Sequence, residues 1–134
     1  MAKVHISARQ AAQADFIIGE ISDRGYGVLP GWLGPARCLE VRHQLAETFG
    51  TSTEAYFFQY DEPDIMLLPP SAVDTIQLLG QAARKAGLRP RTVALNTQPP
   101  GFVGVSHFDN NAVASLVAPL DPSLLHLIRP AIDG

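Results

Sequence analysis

The chain has 134 residues, of which 46% are hydrophobic and 17% charged, with a formal net charge of −3. This length fits one domain with a single core, and the composition excludes a mainly disordered chain. The charge gives no basic footprint for nucleic acid, and no apolar run approaches the roughly 20 residues of a membrane helix. Cys38 is the only cysteine, which excludes an intramolecular disulfide. We therefore expect one cytoplasmic domain, residues 1–134, with neither a nucleic-acid nor a membrane partner.

The first predicted helix begins at Ser7 and Gln10, whose spacing is that of a capping box, and it ends at Gly25. Its apolar residues recur at helical spacing and are Ala11, Ala14, Ile17, Ile18 and Ile21. Polar residues occupy the opposite face. The next segment, 26–33 (YGVLPGWL), is predicted to be a strand whose far end is bent by Pro30.

Two more helices are predicted further along the chain. Pro35 opens the second helix, 36–49, whose buried face is predicted to contain Cys38, Val41, Leu45 and Phe49. Ser71 is the expected N-cap of the third helix, which Gly87 ends. The packing face of the third helix is predicted to contain Val73, Ile76, Gly80 and Ala83.

The remaining segments contain the other strand candidates. They are 54–60, 65–68, 91–97 and 102–108. Segment 112–118 could be a strand or a short helix, and 124–128 is predicted to be a last helical turn. Together the elements predict an α+β fold. We expect a single small domain in which about three helices pack on a mixed five- to six-stranded sheet.

The candidate chemistry lies at His107 and Asp109, which are two residues apart in a predicted strand. Alternate residues of a strand point to the same face, so the imidazole and the carboxylate could meet at one metal ion. Two histidines and one carboxylate form the facial triad of non-haem iron(II) oxygenases. The spacing therefore indicates part of such a site.

The surrounding sequence resembles a known family. Segment 94–111 (ALNTQPPGFVGVSHFDNN) resembles the part of prolyl-hydroxylase-like 2-oxoglutarate oxygenases in which a strand, a Pro/Gly turn and an aromatic residue precede a His-x-Asp-Asn motif. Segment 17–45 is similar to that family's helix, Gly-Tyr step, Val-Leu-Pro-Gly strand and second helix. Segment 64–67 is near the place of its strand before the third helix. The resemblance covers most of residues 16–111, in order.

This resemblance implies that His107 and Asp109 bind iron(II), supported by Asn110, and that 2-oxoglutarate is decarboxylated as an unknown substrate is hydroxylated. The family also uses a later histidine and a basic residue for the co-substrate. After Asp109 these can only be His126, as third metal ligand, and Arg129. Their spacing departs from the family pattern, and the predicted strands do not complete its jelly roll. The resemblance is therefore also compatible with a truncated jelly roll, or with a degenerate relative of these enzymes that lacks the activity.

Two other hypotheses remain open. The length and the alternation of elements resemble STAS-type regulatory domains, in which a serine at a helix start binds a partner and can be phosphorylated. Ser71 has that position here, although the usual Asp-Ser-Gly-like signature is absent. The third hypothesis is a non-catalytic protein-binding or assembly module, for which short strands and low charge suit a homodimer.

Overall fold

The computed structural model describes residues 4–50 and 55–96 together with Ala118 and Leu120. Three α-helices and two strands follow one another with a short 3₁₀ helix between them. They are α1 (Ala8–Arg24), α2 (Pro35–Phe49), β1 (Tyr56–Gln59), the 3₁₀ helix Pro63–Leu67, α3 (Pro70–Lys85) and β2 (Thr92–Leu95). The three predicted helices are confirmed. In the described part of the chain, no helix has the length and apolar character needed to cross a bilayer.

The sheet is a single antiparallel pair, with Tyr56 of β1 opposite Leu95 of β2. Both strands fall within segments predicted to be strands. Side chains alternate along β1 as the pleat requires, so Phe58 is partly buried and Phe57 is exposed. The predicted five- to six-stranded sheet is wrong, because the described residues form two strands only. Segment 102–108, most of 112–118, and 124–128 lie outside the described residues.

Segment 26–33, predicted to be a strand, is an irregular connection that runs back along α1. Its chain turns at Pro30 and Gly31, where the Trp32 N–H donates to the Leu29 carbonyl at 3.3 Å and Gly31 has a φ of +66°. The Trp32 indole Nε1 donates to the Gln10 carbonyl at 3.1 Å, and Gln10 Nε2 donates to the Trp32 carbonyl at 2.8 Å. Side-chain hydrogen bonds thus replace the pairing that a strand would need.

Residues 65–68 were also expected to form a strand, and the structure corrects this to the 3₁₀ helix Pro63–Leu67. Pro63 occupies its first turn, where the fixed φ of proline favours a helical start. With three residues per turn, Ile65 and Leu68 face the core, whereas Leu67 points to solvent. A short apolar run such as Ile-Met-Leu-Leu has no alternation of polar and apolar residues, so its sequence does not distinguish a strand from a helical turn.

Two hydrophobic clusters make the core, and α3 contributes to both. The buried members of the first cluster come from α2, α3 and the 3₁₀ region and are Val41, Ile65, Leu68, Ala72, Val73 and Ile76. Leu120 and the inward side chains of the sheet pack against them. The buried members of the second cluster, between α3, α1 and the returning segment, are Ala14, Trp32, Leu78 and Ala82. α3 therefore lies between α1 and α2.

The start of α3 is capped by a side chain of α2. Pro69 is the N-cap residue and Pro70 the first helical residue. Backbone N–H groups at these two positions would have no partner within the helix, and proline has no N–H group. Gln44 Oε1 accepts the Ser71 N–H at 3.1 Å and the Ser71 hydroxyl at 2.6 Å. The prediction that Ser71 is the N-cap is therefore wrong, since the N-cap is Pro69, two residues earlier, and Ser71 lies inside the helix.

Tyr60 packs across α3 at Gly80, where a Cβ atom would overlap the tyrosine ring. The Arg84 guanidinium lies 5.1 Å from the centroid of the same ring, on its face. Gly19 in α1 offers the opposite situation, since a Cβ there meets nothing within 4 Å. Substitution of these two helical glycines by alanine therefore distinguishes the effect of helix propensity on stability from the effect of packing.

We expect Gly80→Ala to lower the free energy of unfolding by about 1 kcal/mol, because overpacking outweighs the gain in helix propensity. The matched variant Gly19→Ala should raise it by about 0.5–1 kcal/mol. Urea denaturation followed by circular dichroism measures both. Equal stabilisation by the two variants would show that the Tyr60 ring does not pack on Gly80.

Candidate functional site

A groove of about 330 Å³ lies between α1 and the returning segment 26–33. Its lining comes from one face of α1 and from two residues of the segment: Arg9, Ala12, Gln13, Phe16, Val28 and Leu29. The α1 residues are spaced three and four apart and so share a face of the helix. We call this feature the α1 groove.

Two large apolar side chains at the α1 groove are exposed. Phe16 has 67% of its surface accessible and Val28 has 62%. Single exposed apolar side chains are ordinary, whereas two that border the same concave surface form one apolar patch, which makes the groove a candidate binding site. Arg9 is the one charged side chain in the described lining, so the groove suits an apolar partner.

The returning segment can lie this close to α1 because residue 27 is glycine. A Cβ at Gly27 would overlap the Ile17 side chain and would lie 3.1 Å from the Glu20 Cβ. Arg24 forms an ion pair with Glu20 and lies 4.8 Å from the Tyr26 ring centroid, on the same side of the helix. These contacts at one end and the Trp32–Gln10 hydrogen bonds at the other hold the groove in shape.

A second hollow, of about 290 Å³, lies beside the loop that follows β1. Its lining includes Tyr60, Asp61, Glu62 and Gln77. Both carboxylates are exposed, as is Asp64 in the first turn of the 3₁₀ helix. Exposed carboxylates at a turn are typical of a solvated surface.

The residues predicted to form the metal and co-substrate site lie outside the described residues. They are His107, Asp109, His126 and Arg129. Within ranges 4–50 and 55–96, no three His, Cys, Asp or Glu side chains come together as a metal site. The iron(II) and 2-oxoglutarate site therefore stays a prediction from the sequence.

The regulatory hypothesis requires Ser71 to be accessible at a helix start. Ser71 is instead only 5% exposed, and its hydroxyl donates to Gln44. A kinase or a partner would have to separate α2 from α3 to reach it. Burial of Ser71 therefore counts against regulation at this serine.

Comparison with protein-family models, with curated proteins and with solved structures finds no match to this chain. The function must therefore be argued from the site itself, because a fold alone does not imply an activity.

Neither Phe16 nor Val28 was predicted from the sequence to be a site residue. The signal for Phe16 was present, because it stands between Gln13 and Glu20 on the polar side of α1. A large aromatic residue in a polar helical stripe has no core to enter. Val28 could not be found in the same way, because its exposure depends on how the segment returns along the helix.

Proposed function

We propose that this domain is a protein-binding module that associates with a second copy of itself through the α1 groove. The observation that supports this most directly is the exposure of Phe16 beside the groove. Aromatic side chains in central apolar pockets are the usual anchors of protein interfaces. Because the lining carries little charge, the groove favours an apolar protein surface as its partner over a charged ligand.

A second copy is the occupant that this surface fits best. Phe16 and the groove lie on the same face, so a two-fold axis through that face brings each Phe16 to the groove of the other copy. The contact buries the two exposed apolar side chains of the α1 groove, Phe16 and Val28, in each chain. An interface with so few anchors corresponds to a dissociation constant in the micromolar range (about 1–100 µM).

We expect the protein to sediment as a dimer at about 100 µM, a concentration at or above that dissociation constant. The Phe16→Glu variant should sediment as a monomer, because a carboxylate cannot be buried unpaired in an apolar contact. Leu67→Glu is the matched control, since Leu67 is 84% exposed on the 3₁₀ helix and lies outside the groove. Circular dichroism checks that both variants remain folded. The proposal would be contradicted if the wild-type protein were a monomer at about 100 µM, or if both variants lost the dimer equally.

A second candidate function is the iron(II) site, which the His-x-Asp spacing of His107 and Asp109 favours. Anaerobic calorimetric titration with iron(II) is expected to show one site in the wild-type protein, absent in His107→Ala because a ligand is lost. His43→Ala is the control, since His43 is exposed on α2. Absence of binding, or the same loss in both variants, would exclude this candidate.

A further inference from the structure

The segment that precedes α1 packs on an apolar surface of its own. Residues 4–6, which we call the N-terminal arm, lie outside regular secondary structure, and their burial alternates as it does along a strand, with Val4 and Ile6 partly buried and His5 exposed. Val4 and Ile6 pack against the second cluster, whose buried members from α3 and the returning segment include Leu78, Ala82 and Trp32. We call the surface formed by these residues with Gln81 the arm groove.

Gln81 of α3 holds the backbone of the arm at two points. Its Oε1 accepts the Ile6 N–H at 2.9 Å, and its Nε2 donates to the Val4 carbonyl at 2.6 Å. A residue of a parallel β-strand bonds its neighbour in the same way, donating to the carbonyl of residue i and accepting from the N–H of residue i+2. The side-chain amide of Gln81 thus takes the place of one residue of a parallel strand.

This arrangement recognises features that many sequences share. On the arm, the two hydrogen bonds involve only backbone groups, which every extended segment presents unless proline stands at the donor position. Side chains two residues apart point to the same face, so the groove selects apolar residues at those two positions. Peptide-binding domains that add a strand combine the same two elements, backbone pairing for affinity and alternate side chains for specificity.

The arm can leave without disturbing the helix that follows it. The Ser7 N–H donates to Gln10 Oε1 at 2.9 Å, and the Gln10 N–H donates to Ser7 Oγ at 3.0 Å. This capping box closes the start of α1 with residues 7 and 10 alone. The contacts that displacement of the arm would break are therefore those of Val4, Ile6 and Gln81.

We propose that the arm groove is a binding site for an extended segment of another protein that carries apolar residues two positions apart, and that the arm occupies this site until such a segment displaces it. This site is distinct from the α1 groove and does not depend on the self-association proposed above. The arm is a built-in competitor. Because it is joined to the site, it acts at an effective concentration in the millimolar range.

The experiment uses the full chain with the arm weakened by Val4→Asp and Ile6→Asp. The probe is a fluorescent peptide, Lys-Val-His-Ile-Ser, blocked at both ends. Fluorescence anisotropy is expected to show saturable binding to the arm-weakened chain and binding at least tenfold weaker to the wild type, whose arm competes. A peptide with aspartate at both apolar positions should not bind.

The role of Gln81 is tested in the arm-weakened chain by Gln81→Met, which keeps the side-chain length and removes both hydrogen bonds. We expect about a tenfold loss of peptide affinity or more. Gln77→Met is the control, because Gln77 lies on the same helix, is half-buried and lines the hollow beside Tyr60. It should leave the affinity within about twofold, since it removes no bond to the peptide.

A measurement on the wild-type protein decides the matter if the arm-weakened chain does not fold. Excess unlabelled peptide should accelerate hydrogen exchange of the Ile6 amide, observed by nuclear magnetic resonance, because a displaced arm loses its bond to Gln81. Unchanged exchange of Ile6 at millimolar peptide would overturn the proposal. So would equal affinities of the Gln81→Met and Gln77→Met variants.

Discussion

Burial of α3 on two sides is the constraint on which the rest of this domain depends. One part of the helix supplies Val73 and Ile76 to the cluster shared with α2, and another supplies Leu78 and Ala82 to the cluster shared with α1. A helix buried in this way cannot leave its polar groups to water. Two prolines and Gln44 resolve the problem at its start, and Thr75 Oγ1 donates to the Ser71 carbonyl at 2.7 Å within it. α1 and α2 therefore both depend on α3 for their place.

Three glutamine side chains connect elements of the fold through hydrogen bonds. Gln10 joins α1 to the returning segment, Gln44 joins α2 to α3, and Gln81 joins α3 to the arm. A neutral amide offers both a donor and an acceptor and avoids the desolvation penalty of a buried ion pair. Every buried side-chain nitrogen and oxygen in the described residues has a partner. Both proposed sites are lined mainly by apolar side chains, so both are expected to recognise apolar side chains.

Local signals in the sequence predicted α1 well, because its capping box and Gly25, with a φ of +82°, involve neighbouring residues. The strands around Tyr56 and Leu95 were predicted for the same reason. The strand predicted for 26–33 failed because hydrogen bonds between Trp32 and Gln10, 22 residues apart, decide its path. Gln81 contacts the arm across 75 residues or more. No spacing rule indicates such a partner, so both grooves became visible only in the folded chain.

The central claim is that α1 and α2 are stabilised by one shared helix and unfold with it. Native-state hydrogen exchange of Ala14 in α1, Val41 in α2 and Ile76 in α3 tests this most directly. We expect these three amides to exchange with the same free energy and the same dependence on denaturant, because all require global unfolding. Exchange of Ala14 at a much lower free energy and without denaturant dependence would contradict it, since α1 would then open while α2 and α3 remain folded.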